Sequence, residues 1–145
     1  MSSRVLRRVM IGIASLGLAV TIYLTVVHYA GLTVACTTAH NSCQQVQTSV
    51  YSHLLGIPVV DLGLVGYVGL LAALLVPDGE WPRLAALVVT IAGFGFSLYL
   101  TYREAFTLHE YCEWCLGSAG VMTVTVILAA TRYVAGPSHP PDSPA

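Results

Sequence analysis

Charge is what this chain has least of. Only 9% of its 145 residues are charged, against 56% hydrophobic residues and a mean hydropathy of +0.75. A soluble domain carries about 25% charged residues, so that class is excluded and a membrane protein is expected. The formal net charge of −1 gives no reason to expect nucleic acid or an acidic substrate. Cysteine is scarce as well, at four residues, and none stands in the middle of an apolar run. That placement argues against a reductant transporter, whose thiols must be reached from both sides near the bilayer midplane. Metal-ligand spacing is also missing. Cys36 and Cys43 are further apart than the gap of about two to four residues usual within a zinc pair, and His28, His40, His53 and His109 form no convincing pair, so no metal is expected.

What the chain does have is four long apolar runs, at residues 9–30, 59–76, 84–102 and 115–133. Each is near or above the roughly 20 residues needed to cross the hydrocarbon core. The first exceeds a signal-peptide core, and the small residues before Cys36 lie well beyond it, which argues against cleavage. The expected fold is an all-α membrane protein: a bundle of four transmembrane helices forming one domain over residues 1–135. A proline-rich tail at 136–145 is expected to be disordered and cytoplasmic. Arg4, Arg7, Arg8, Arg83 and Arg132 fall on one side, which the positive-inside rule makes cytoplasmic, with both termini. Arg103 falls on the other side and is expected to pair with Glu104 or to be hydrated. Cys36, Cys43, Cys112 and Cys115 then all lie on the extracytoplasmic face, where disulfides form and persist. Four cysteines allow three pairings.

Cys112-Glu113-Trp114-Cys115 places two thiols at the start of the last apolar run. On the first turn of a helix such a pair can close a disulfide, and the N-terminal N–H groups stabilise a thiolate. A structural disulfide has the same spacing. The connection between the first two runs contains Ser42-Cys43-Gln44-Gln45, the spacing of a capping box, followed by Val46, Val50, Leu54 and Leu55 at helical spacing. A short amphipathic lid helix is expected there, ended by Gly56-Ile57-Pro58. Gly63, Gly66, Gly69, Gly117 and Gly120 are expected to serve close helix packing. Asp61 is expected to cap the second helix, and Tyr99, Tyr102, Tyr111 and Trp114 to form an interfacial aromatic belt. The turn at residues 77–82 offers no chemistry of its own.

Several motifs together resemble the vitamin K epoxide reductase family. They are Cys43-x-x-Val46-x-x-Ser49-x-Tyr51; Gly56-Ile57-Pro58 with Gly63 and Tyr67; Tyr99-Leu100-x-Tyr102-x-Glu104; and Cys112-x-Trp114-Cys115-x-x-Ser118-Ala119. The likeness runs from the first helix through the fourth and is that of a prokaryotic member without a fused thioredoxin-like domain, which implies a separate partner. The resemblance implies a thiol–quinone oxidoreductase supporting disulfide bond formation in the inner membrane, with its active site on the extracytoplasmic face. Cys36 would meet a DsbA-like or thioredoxin-like protein, Cys43 would exchange with Cys112, and Cys115 would face a membrane quinone of menaquinone, ubiquinone or vitamin K type. Ser49 matches a hydroxyl residue near the quinone, and Trp114 is a candidate wall of its site. Animal members have a tyrosine where this chain has Ala119, so epoxide reduction of the animal type is not implied. The alternative is a structural tetraspan protein with inert disulfides.

Overall fold

The computed structural model describes residues 2–32, 53–109 and 113–136. Among them the helices are α1 (Ser3–Ala30), α2 (Val59–Leu75), α3 (Glu80–Arg103) and α4 (Glu113–Ala135). A π-helical turn, Glu104–Leu108, continues α3. Two strands, β1 (His53–Leu54) and β2 (Ile57–Pro58), precede α2. The protein is thus a helical membrane protein: α1, α3 with its extension to Thr107, and α4 are long and apolar enough to cross a bilayer, while α2 is apolar but shorter, at 17 residues.

The helix ends follow from local chemistry. The Ser2 hydroxyl accepts from the Val5 N–H at the start of α1. At its end Gly31 adopts φ 69°, and the N–H groups of Gly31 and Leu32 donate to His28 and Val27 carbonyls. Only a residue tolerant of the left-handed region closes a helix this way at little cost. α2 stops at Leu75 because Val76, preceding Pro77, is driven to an extended conformation (φ −64°, ψ 147°). α3 begins four residues ahead of its apolar run, with Pro82 in the first turn, where a missing N–H costs nothing.

The segment before α2 corrects one expectation. Leu54 and Leu55, placed on the lid helix by their spacing, lie in a hairpin whose register pairs His53 with Pro58 and Leu54 with Ile57. Leu55 (φ 53°) and Gly56 (φ 82°) both occupy the left-handed region, as a two-residue type I′ connection requires, and Leu55 is 96% exposed. The remainder of the expected lid, including the Ser42–Gln45 capping box, lies outside the described residues.

The bundle is packed tightly in one half. Met10 and Ala14 of α1, Leu70 and Leu74 of α2, Ala86 of α3 and Ala129 of α4 form its buried cluster. Large apolar side chains such as Ile22, Val88, Val124 and Ile127 are exposed, as lipid-facing positions are. At this end lies a charged latch. Asp78 accepts from Arg83 Nε (2.9 Å) and Nη2 (2.6 Å) and from Arg132 Nη2 (2.8 Å), tying the α2–α3 turn to α4. Arg83 also donates to the Arg132 carbonyl and to Ser3 Oγ, reaching α4 and α1. Arg7 caps α2 from the neighbouring helix, donating to the carbonyls of Leu74 (2.6 Å), Leu75 (3.3 Å) and Val76 (3.2 Å), which α2 cannot satisfy itself. The turn that looked chemically empty therefore carries the carboxylate that holds two buried arginines.

Two glycines allow the helices to close. A Cβ on Gly17 would overlap the Tyr67 ring, and one on Gly93 would lie 3.0 Å from Met122 Sδ. The glycines expected to pack closely behave differently: a Cβ on Gly66, Gly69, Gly117 or Gly120 would meet nothing within 4 Å, and only Gly63 has a neighbour, Thr21, at 3.3 Å. Gly66 and Gly69 face a cavity instead.

Candidate functional site: a cysteine in the wall of an apolar cavity

Cys115 is the third residue of α4 and is half-buried. The first turn of a helix leaves its backbone N–H groups without intrahelical partners, so the electropositive end of α4 lies at this sulfur. Cys115, Ser118 and Met122 recur at i, i+3 and i+7, which places them on one face of α4. That face forms one wall of a cavity of about 570 Å³ lined by all four helices. α1 contributes Val20, Thr21 and Leu24, and α2 contributes its stripe of Gly63, Gly66 and Gly69. The lining is overwhelmingly apolar, the character of a site for a hydrophobic ligand held by a few polar groups.

Those polar groups are specific. The Tyr67 and Ser118 hydroxyls lie 3.1 Å apart, and Tyr67 is only 2% exposed. Gly17 gives the Tyr67 ring its room. Arg103 and Glu104 line the cavity where α3 passes into the π-helical turn. The Arg103 guanidinium carbon also stands 5.4 Å from the centre of the Tyr99 ring, a cation–π distance. Arg103, expected to pair with Glu104 or to be hydrated, is half-buried and lines the cavity beside Glu104.

Trp114 stacks at a tilt on Tyr23 of α1, with ring centres 5.4 Å apart. It lines this cavity and a second of about 390 Å³ between α1 and α4, so it separates the two together with Tyr67 and Ser118. Asp61, in the first turn of α2, receives a short hydrogen bond from the Tyr29 hydroxyl and so joins the end of α1 to the start of α2. Its acidic position suits the helix dipole, but it makes no side-chain cap. Cys36, Cys43, Ser49 and Cys112 lie outside the described residues. Among the described residues no cluster of three or more His, Cys, Asp or Glu could hold a metal ion.

Sequence reasoning singled out Cys115 and Trp114 but gave no role to Tyr67, Ser118, Arg103 or Glu104. The signal available for Ser118 was its position one turn beyond Cys115. For Glu104 it was a carboxylate at the end of an apolar run, a rare placement in a membrane helix. The family model described as the vitamin K epoxide reductase family matches residues 8–130, a span that takes in α2 and α3 whole, most of α1 and α4, and every residue lining the cavity. The chain belongs to the vitamin K epoxide reductase family of membrane oxidoreductases.

Proposed function

We propose that this protein is a membrane thiol–quinone oxidoreductase that reoxidises a DsbA-like or thioredoxin-like extracytoplasmic partner and passes two electrons to a membrane quinone. The observation that carries the reading is Cys115, set in the first turn of α4 at the wall of an apolar cavity large enough for a quinone ring. In this mechanism the partner's thiolate attacks the Cys36–Cys43 disulfide at Cys36, and the freed Cys43 attacks Cys112. Cleavage of the Cys112–Cys115 disulfide releases Cys115 beside the quinone. The partner's second thiol then displaces Cys36, whose thiolate attacks the Cys43–Cys112 bridge at Cys43, re-forming Cys36–Cys43 and freeing Cys112, and the Cys112–Cys115 dithiol passes two electrons to the ring as its own disulfide closes. Ser49, Tyr67 and Ser118 supply hydroxyls to the ring's oxygens, and Trp114 forms part of its wall.

The proposed topology has four spans. At about 1.5 Å per residue α2 is roughly 26 Å long, slightly short of a hydrocarbon core of about 30 Å. Its ends meet polar anchors, Arg7 at one and the Tyr29–Asp61 pair at the other, which suits a short helix held across the bilayer by its neighbours. The latch end, with Arg4, Arg7, Arg8, Arg83 and Arg132, is cytoplasmic by the positive-inside rule, and the Cys115 end is extracytoplasmic. The test is turnover by the full chain in nanodiscs, supplied with a reduced DsbA-like protein and a short-chain benzoquinone or naphthoquinone. One dithiol should be oxidised for each quinone reduced. Absence of quinone reduction with both ring types would refute the reading.

A further inference from the structure

Oxidation of two thiols to a disulfide releases two electrons and two protons, and reduction of a quinone to a hydroquinone takes up two of each. Electrons can cross from sulfur to ring by contact, but protons need carriers, and the cavity at Cys115 is walled mostly by apolar side chains. Four described groups lining it can ionise. α1 contributes none, α2 contributes Tyr67, α3 contributes Arg103, the π-helical turn contributes Glu104 and α4 contributes Cys115, while Glu113 lines the neighbouring cavity. Arg103 stays protonated in proteins and cannot act as a base. The Tyr67 hydroxyl, 3.1 Å from that of Ser118, is a neutral phenol that can hydrogen-bond the ring but is no base for a thiol proton. Glu104 is the one carboxyl among the described residues lining this cavity, and it is 1% exposed.

Its backbone setting is as unusual as its burial. The π-helical turn begins at Glu104 itself, directly after α3 ends at Arg103, and such turns are frequent at functional positions. A carboxyl buried in a membrane helix is costly and is expected to face a functional cavity.

Building on the thiol–quinone reading above, we propose that Glu104 is the proton carrier between Cys115 and the quinone. The Glu104 carboxylate takes the proton of the Cys115 thiol, leaving a thiolate at the end of α4. The Cys112 thiol loses its proton to water, the Cys112–Cys115 bond forms, and two electrons pass to the ring. Glu104 returns its proton to one quinone oxygen and the second oxygen is protonated from water. The two S–H bonds are replaced by one S–S bond and two O–H bonds, and Glu104 ends as the carboxylate it was.

The test uses the full chain in nanodiscs, reduced with dithiothreitol and mixed with a short-chain naphthoquinone across a range of pH. Glu104→Gln should lower the rate of quinone reduction by roughly a hundredfold or more, the usual scale of general acid–base catalysis, and remove the acid limb of the profile. Quinone binding, read by quenching of tryptophan fluorescence, and thiol exchange with the partner should persist. Glu104→His keeps a titratable group of higher ordinary pKa, about 6.5 against about 4.3, and should restore part of the rate with the limb displaced upward. The proposal is overturned if Glu104→Gln reduces quinone at the wild-type rate and pH profile, or if its loss is wholly one of quinone binding. It is also overturned if Glu104→Gln fails to fold and the limb of Glu104→His coincides with that of wild type. A wild-type protein that reduces no quinone removes the underlying reading instead, which separates the two failures.

Discussion

Replacing Asp78 with alanine removes a carboxylate that both Arg83 and Arg132 reach, at 2.6 and 2.8 Å. Both arginines are 2% exposed, so neither can turn to water without disturbing the helix packing around it. Truncating one partner of a buried ion pair costs about 3–5 kcal/mol, chiefly because a charge is left unpaired in a poor solvent. Asp78 itself keeps 22% of its side chain exposed, and Arg83 retains Ser3 and the Arg132 carbonyl, so the lower end of that range applies. A loss of about 3 kcal/mol corresponds to more than a hundredfold in the folded-to-unfolded ratio. On the scale of roughly 2–4 °C per kcal/mol for a chain of this size, the Tm should fall by about 6–12 °C. Thermal unfolding in a mild detergent, followed by far-ultraviolet circular dichroism, measures this directly. Asp78→Asn, which keeps an acceptor but loses the charge, should fall between the two. An Asp78→Ala protein melting within about 2 °C of wild type would refute the view that this latch holds the closed end of the bundle together.

Gly17→Val should destabilise by about 1–3 kcal/mol, because its side chain enters space held by the Tyr67 ring, and should weaken quinone binding as Tyr67 is displaced from Ser118. Gly12→Ala in the same helix, where a Cβ meets nothing within 4 Å, should instead be neutral or stabilising by up to about 1 kcal/mol, and paired melting curves separate the two. A membrane-impermeant thiol reagent applied to intact cells after reduction should label all four cysteines from outside. Labelling from the cytoplasmic side alone would reverse the proposed orientation.

The long helices were legible because spanning a bilayer imposes about 20 apolar residues in a row, a pattern no tertiary contact needs to complete. The position of Cys115 in the first turn of α4 was legible for a similar reason, since a polar turn ahead of an apolar run marks a helix start. The hairpin at residues 53–58 was not. Leu54 and Leu55 continue a helical spacing from Val50, and only the left-handed pair Leu55–Gly56 decides against it. The latch was hidden because Asp78 joins arginines 5 and 54 positions away, a pairing that counting charges by side does not reveal. The cavity was hidden for a related reason: a stripe of small residues reads alike whether it lies against a helix or a void. Gly17 and Gly93 bring the helices together, while Gly66 and Gly69 leave space open.

The central claim is that the Cys115 sulfur engages a quinone in the cavity between the four helices, and its most direct measurement is the visible spectrum of a Cys112→Ser protein loaded with quinone. With no resolving thiol, the Cys115 thiolate should remain beside the ring and give a charge-transfer or adduct absorbance. That band should vanish when Cys115→Ala is added, along with quinone reduction. A Cys112→Ser protein with quinone bound but no such band, together with a Cys115→Ala protein that reduces quinone at the wild-type rate, would contradict the account.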